Sequence, residues 1–360
     1  MHYRIRCTKC GHIEGDSAFR CGVCGSILEV VYDYDKVGRL SGGRMVRYSK
    51  LLPVIRLFSL KEGGTPLKKV RGGFNGAELF LKLETENPTR TFKDRGSAVE
   101  MSKALEVGAK EMCCASTGNM GFSLARYARR AGIKATVFIS KGGNARKISK
   151  IRGEGARIIE VDGDFNSALN RAEAFAKRTG CFLCGDYHFR KEGQKTVTYE
   201  IIEQLGRDAP DYLFMPVGNA TLLAGAYKGL LELKRLERMG RLPRIVAVQS
   251  EGCDPLVRAY RRKGKVAYMK PRTEADAIAV GYPTFGFEGL GAIRGTKGAA
   301  VSVPDKDIER AVRRLEGLGV YAELGGGTAF AGLIKAANRL QLKGKRVVVV
   351  VTGNNEGVFR

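Results

Sequence analysis

Long apolar runs are missing from this chain. The longest, RVVVVVT at 346–352, falls well short of the roughly 20 residues that a membrane-crossing helix needs. No basic stretch followed by an apolar leader opens the sequence either, so a cytoplasmic protein with no membrane contact is expected. Neither G-x-x-x-x-G-K-[ST] nor a G-x-G-x-x-G following a strand occurs, which removes support for ATP and for dinucleotides. Histidine is scarce, with three in 360 residues. Acidic residues are also under-represented: 37 face 62 lysines and arginines, a formal charge of +25. That excess raises nucleic acid, an anionic surface or a phosphorylated small molecule as partner. The charge is dispersed, however. Its densest run, KGLLELKRLERMGRLPR at 228–244, carries apolar residues at helical spacing and reads as a solvated helix face, so nucleic acid is not the expected partner.

Nine cysteines without a secretory signal point to ligands or small core residues rather than disulfides. Four stand in the stretch RCTKCGHIEGDSAFRCGVCG, as Cys7-x2-Cys10 and Cys21-x2-Cys24, each pair followed by glycine at Gly11 and Gly25. Two such knuckles bring four thiolates to one tetrahedral Zn2+ ion, and a full thiolate set leaves no position for water, so the zinc is structural. His12 beside it reads as a bystander. A second CxxC, Cys181 to Cys184, has no partner pair and reads as a buried strand. By itself the knuckle suits a nucleic-acid module.

From about residue 78, short apolar runs alternate with amphipathic stretches. ELFLKLE, EMCCAS, KATVFIS, ARIIEVD, DYLFMPVG, RIVAVQSEG and KRVVVVVTG read as strands, while DRGSAVEMSKALEVG and GNMGFSLARYARRAG read as helices ending at Gly108 and Gly132. Such alternation implies an α/β architecture with a mainly parallel sheet and helices on both faces. In such sheets ligands bind beyond the carboxyl ends of the strands, and here those ends carry STGN, PVGNAT and VTGNN. PVGNATLLAGAYKG runs from a strand straight into a helix, whose unpaired N–H groups and positive end suit a single phosphate. The remaining singular stretch is ENPTRTFKDRG at 86–96, a lysine flanked by an aromatic, an aspartate and two arginines. An amine used as a nucleophile must be partly uncharged at neutral pH. Desolvation by Phe92 and the cations Arg90 and Arg95 would lower the pKa of Lys93.

Taken in order, the zinc knuckle followed by LEVVYDYDKV, then EGGTPL, NPTRTFKDRG, ASTGN, DGDFNSAL, EGQKT, PVGNA and a C-terminal strand-Thr-Gly turn resemble the threonine synthases, pyridoxal-phosphate enzymes of the tryptophan synthase β-like group. The resemblance covers most of the chain. It implies the fold type II architecture, two three-layer αβα domains, with a zinc ribbon at 1–35, a large cofactor-binding domain at 36–88 and 177–360, and a small domain at 89–176. It further implies a homodimer. Pyridoxal 5'-phosphate would be bound through a Schiff base to Lys93, next to Phe92, with Asn119 on the ring hydroxyl. Gly218, Asn219, Ala220, Thr221 and Leu222 would hold the cofactor phosphate, and Thr352 would face the pyridine nitrogen. Ser116, Thr117 and Met120 would meet the substrate carboxylate, Arg190 the substrate phosphate, and His188 the substrate's rim. The implied reaction converts O-phosphohomoserine and water to threonine and phosphate by γ-elimination and β-addition, with Lys93 moving the α- and β-protons; one lysine in several proton transfers suits a histidine-poor chain.

The resemblance has departures. In CGDYHFR, Gly185 replaces a serine usual in the family, and Asp186 places a carboxylate beside the expected phosphate pocket. Met120 and Gly121 replace small hydroxyl residues, the last turn reads TGNNEG, and AELGGGTAFAGL carries extra glycine, which would suit a different substrate tail. The alternative reading is therefore a sister enzyme performing β-elimination or β-replacement, for example a cysteate synthase acting on O-phosphoserine. A zinc-ribbon nucleic-acid binder is a third reading, opposed by the intact Lys93 and Asn119.

Overall fold

A computed structural model of the chain describes residues 3–37, 40–116 and 118–354. Thr117, one of the expected substrate residues, lies outside the described set. The strands and helices run in the order β1 (Tyr3–Cys7), β2 (Ile13–Glu14), β3 (Leu28–Tyr32), β4 (Leu67–Lys69), β5 (Glu78–Leu83), α1 (Lys93–Glu106), β6 (Glu111–Ala115), α2 (Asn119–Ala131) and β7 (Lys134–Ser140). There follow α3 (Ala145–Gly153), β8 (Arg157–Val161), α4 (Phe165–Thr179), β9 (Phe182–Cys184), α5 (His188–Gln194), α6 (Thr196–Gln204), β10 (Tyr212–Pro216), α7 (Thr221–Arg235) and β11 (Arg244–Ser250). The chain continues with α8 (Pro255–Arg261), α9 (Gly286–Gly295), β12 (Ala299–Val303), α10 (Asp305–Gly317), α11 (Leu324–Ala336) and β13 (Arg346–Val351). Each strand and helix read from the periodicity is present. The two helices predicted to end at glycine do so, with Gly108 and Gly132 at positive φ.

The chain forms two compact units, Met1–Gly63 with Lys93–Thr196, and Gly64–Phe92 with Val197–Arg360. In the first, four parallel strands run in the order β8-β7-β6-β9, beside a small antiparallel sheet, β2-β1-β3. Alternation in β1 and β3 turns Ile5, Cys7, Leu28, Val30 and Tyr32 inward, where they share one core with Ala98, Met101, Leu124, Val137 and Phe189 of the α/β body. The cysteine segment thus packs on this unit through its own apolar face. β9 pairs in register with β6, Cys184 opposite Cys114, which places the 182–184 stretch in this unit's sheet. The expectation of a buried strand at the second CxxC is met.

In the second unit the order is β12-β11-β10-β13-β5-β4, parallel except for β4. Leu79, Leu81, Phe214, Val246, Val248, Val347 and Val349 form one face of the sheet and pack on Ile308 and Leu315 of α10 and Phe330 and Leu333 of α11. The alternate residues Leu213, Met215, Ile245, Val348 and Val350 are buried too. Burial on both faces explains why these strands read as continuous apolar runs. The extra glycines at the start of α11, read from sequence as room for a substrate tail, have a packing cause instead. A Cβ on Gly326 would lie 2.4 Å from the Gly353 carbonyl oxygen, and one on Gly327 2.4 Å from Val312.

Candidate active site

Lys93 opens α1 and is half-buried. Asp94 and Arg95 behind it are buried; Asp94 accepts the Ser123 hydroxyl of α2 at 2.6 Å, and Arg95 donates to Thr196 Oγ1 at 3.0 Å. Of the two arginines expected near the amine, Arg95 is therefore held inside the unit, while Arg90 is exposed on a turn at φ 62. Asn119 is the first residue of α2, half-buried, and Met120 behind it is buried. Ser116 is buried between β6 and α2, where its hydroxyl oxygen accepts the N–H groups of Gly118 and Gly121 at 2.9 and 2.8 Å. Ser116 thus holds two backbone N–H groups at the start of α2.

The rim segment at 185–190 is held differently from what its sequence suggests. Gly185 sits at φ 142, a conformation that side chains disfavour, and donates its N–H to Glu100 Oε1 at 2.7 Å. This backbone requirement accounts for glycine at a position where the family has serine. Tyr187 donates to Glu173, which also receives the Arg20 guanidinium from the cysteine segment. The His188 ring is buried, 4.1 Å from that of Phe189. Arg190 is fully buried and bonded to Glu100, Ser97 and the Lys93 carbonyl. Burial lifts the Glu100 carboxyl to about 7, against the opposite pull of Arg190 and the Gly185 N–H. Sequence reading missed Glu100, although the signal was present: Lys93, Ser97 and Glu100 are spaced i, i+4, i+7 and fall on one helix face. It also missed Lys147, a buried lysine whose stem crosses the STGN turn, where a Cβ on Gly118 would lie 2.2 Å from Lys147 Cδ.

In the second unit, the loop Gly218–Ala220 joins β10 to α7. Asn219 is held by the distant segment before α9, its side-chain oxygen accepting the Thr284 N–H at 2.6 Å and its carbonyl the Phe285 N–H at 3.1 Å. Ala220 takes the N-cap position of α7 at φ 61, and no side chain caps this helix. The first N–H bond within α7 runs from Ala224 to Ala220, so the N–H groups of Thr221, Leu222 and Leu223 have no carbonyl in the helix. Thr352 is buried just past β13, and its carbonyl accepts the N–H of Phe92, the residue before Lys93, at 3.0 Å. Asn354 donates to the Arg90 carbonyl at 2.9 Å, completing a short ladder along 90–92.

The thiols of Cys7, Cys10, Cys21 and Cys24 lie within 4.8 Å of one another. Gly11 and Gly25 adopt the positive φ that folds each knuckle back, at 75 and 68. Four convergent sulfurs are a donor set suited to tetrahedral zinc.

Comparison with known proteins gives the family. The pyridoxal-phosphate dependent enzyme family matches residues 58–353. Threonine synthase of Methanocaldococcus jannaschii is 35% identical over 97% of this chain and 91% of that protein. The chain belongs to the threonine synthase family of pyridoxal-phosphate-dependent enzymes. Another of its relatives, threonine synthase of Bacillus sp. strain ULM1, is 36% identical over 87% of this chain and 89% of that protein. Among solved structures, an L-serine ammonia-lyase from Rhizomucor miehei has the same fold at a TM-score of 0.72 and 24% identity, covering 81% of this chain and 94% of that one. The residues present fit the family's cofactor. Such a cofactor requires an amine, for which Lys93 of the first unit is a candidate, and a phosphate cradle. The uncapped start of α7 and the close backbone at Gly218, where a Cβ would lie 3.1 Å from Ile278 Cα, supply the kind of surface such a cradle needs.

Proposed function

We propose that the chain converts O-phosphohomoserine and water to threonine and phosphate. The observation that carries this reading is the 35% identity to a threonine synthase over 97% of the chain. Pyridoxal phosphate, when bound, supplies the electron sink that makes the substrate's α- and β-protons removable. Lys93 Nζ would hold the cofactor and would move those protons. Lys93 stands on the first turn of a helix buried along most of its length. Asn119 would orient the cofactor ring. The N–H groups of Gly218, Asn219, Ala220, Thr221 and Leu222, with the Thr221 hydroxyl, would hold its phosphate. Thr352 would offer the cofactor ring a neutral hydroxyl and no carboxylate, a setting that favours elimination and replacement over transamination. The STGN turn, with Ser116, Thr117 and Met120, receives the substrate carboxylate, and His188 borders the substrate.

The same reading assigns a structural Zn2+ to Cys7, Cys10, Cys21 and Cys24, and a cytoplasmic homodimer to the assembled protein. The test of the activity is a substrate panel with reconstituted protein: O-phosphohomoserine, O-phosphoserine and serine, with phosphate and amino-acid products measured. Threonine from O-phosphohomoserine is expected. Its absence, with cysteate made from O-phosphoserine and sulfite, would replace this reading by the sister enzyme. Metal analysis should find one zinc per chain, and light scattering a mass twice that of the 39.2 kDa chain.

A further inference from the structure

A ligand for the substrate's phosphate must have N–H groups to offer. An arginine carries five, and Arg190 makes four bonds inside the first unit. Nε reaches Glu100 Oε1 at 3.3 Å, Nη2 reaches Glu100 Oε2 and, at 3.2 Å, Ser97 Oγ, and Nη1 reaches the Lys93 carbonyl at 3.1 Å. Its side chain has no exposed surface, and that of Glu100 is 2% exposed. The three acceptors follow one stripe of α1, so the guanidinium lies along the face that begins at Lys93.

Glycines make this arrangement possible. A Cβ on Gly96 would lie 2.6 Å from Arg190 Cγ, and a Cβ on Gly193 2.0 Å from the Arg95 carbonyl oxygen. Helices α1 and α5 therefore meet backbone against backbone. Glu100 also accepts the Gly185 N–H, so one carboxylate holds both ends of the rim segment 185–190.

We propose that Arg190 is a positioning residue and not the ligand of the substrate's phosphate: clamped by Glu100, it fixes the first turns of α1 and the backbone from which Lys93 projects. The inference rests on the assignment of Lys93 as the cofactor lysine. Recognition of the substrate's phosphate then falls to groups other than this guanidinium.

The experiment is steady-state kinetics of Glu100→Gln and Arg190→Lys holoenzymes with O-phosphohomoserine, together with inhibition by inorganic phosphate and the cofactor's visible absorption. The expected result is a kcat at least about tenfold lower in both variants, with KM and the phosphate inhibition constant within about threefold of wild type and an altered absorption band. A phosphate-binding Arg190 restrained by Glu100 would make the variants diverge. Arg190→Lys would then raise KM and the inhibition constant about tenfold or more at unchanged kcat, and Glu100→Gln would lower them. Either of those results overturns the proposal, as do unchanged kinetics in Glu100→Gln. Should circular dichroism show either variant unfolded, Ser97→Ala removes one acceptor only. A lower kcat at constant KM supports the clamp, and a change in KM alone, or none in either constant, overturns it. A wild type that makes no threonine would defeat the proposed reaction and not this inference. The absorption band of the Lys93-bound cofactor then decides, since it must change in Glu100→Gln if the clamp positions Lys93.

Discussion

Two places in this molecule look suited to an anion, and they are built in opposite ways. At Arg190 a full positive charge is present, yet a carboxylate, a hydroxyl and a carbonyl already occupy it. At the start of α7 no charged side chain is present, yet Ala220 leaves the helix uncapped and its first N–H groups lack helical partners. A formal charge is therefore a poor guide to anion binding, because what matters is whether the donors are already used. Backbone N–H groups at a helix start, aligned with the helix dipole, suit an anion better than a guanidinium already bonded to a carboxylate.

Lys93→Ala tests the two places together and should have the largest effect. Losing the proton-transferring amine should lower the rate of threonine formation by about 10³-fold or more. If the α7 loop holds the cofactor phosphate by itself, pyridoxal phosphate should still bind this variant, more weakly and without its wild-type absorption band. Equilibrium dialysis checks this, and a complete loss of binding would mean that the loop contributes little.

Gly193→Ala challenges the clamp side alone. The added methyl would fall 2.0 Å from the Arg95 carbonyl oxygen, so α5 must move off α1. A loss of about 1–3 kcal/mol is expected in denaturant unfolding. An unchanged midpoint would show that the two helices are free to separate and that the clamp is soft.

Gly218→Ala does the same for the loop at lower cost. Its Cβ would lie 3.1 Å from Ile278 Cα, a contact that a shift of a few tenths of an ångström relieves. The expected result is cofactor affinity weaker by about tenfold, near 1.4 kcal/mol, at nearly unchanged folding stability. Equal losses of stability in the two glycine variants would erase the contrast between a structural clamp and a binding loop.

How far these regions were legible in sequence follows from the range of the interactions. Strand and helix order was plain because apolar period and terminal glycine are local signals, as at Gly108 and Gly132. The α7 loop was legible for the same reason: strand, Gly-Asn, then helix within a dozen residues. The four cysteines were readable from spacing alone. The Arg190–Glu100 pair was not, because its partners stand 90 residues apart and Glu100 by itself looks like an ordinary helix-face acid. Gly185 was read as a lost hydroxyl, whereas its φ of 142 is what the segment requires. Substitution patterns expose chemistry lost or gained, while backbone conformation and long-range pairing become visible only once the helices are in place.

Protonation offers the finest contrast, since the α7 loop contributes no titrating group among Gly218–Leu222, and the clamp contributes Glu100. Around that carboxyl stand Arg190, Asp186 and the Gly185 N–H, and burial raises it from its ordinary 4.5 to about 7. A carboxyl whose folded value is raised binds its proton more readily in the native state than when unfolded. Its contribution to stability is fully present below about 4.5 and is lost as pH rises through 7. Glu100→Gln removes the group and keeps the shape. The melting temperature of wild type relative to Glu100→Gln should therefore decline between pH 5 and 8, by a few degrees at most for a chain of this size. A difference that stays flat across that range would mean the carboxylate is ionised throughout, with Arg190 outweighing burial. The clamp would then be a permanent ion pair, as indifferent to pH over that range as the loop it is contrasted with.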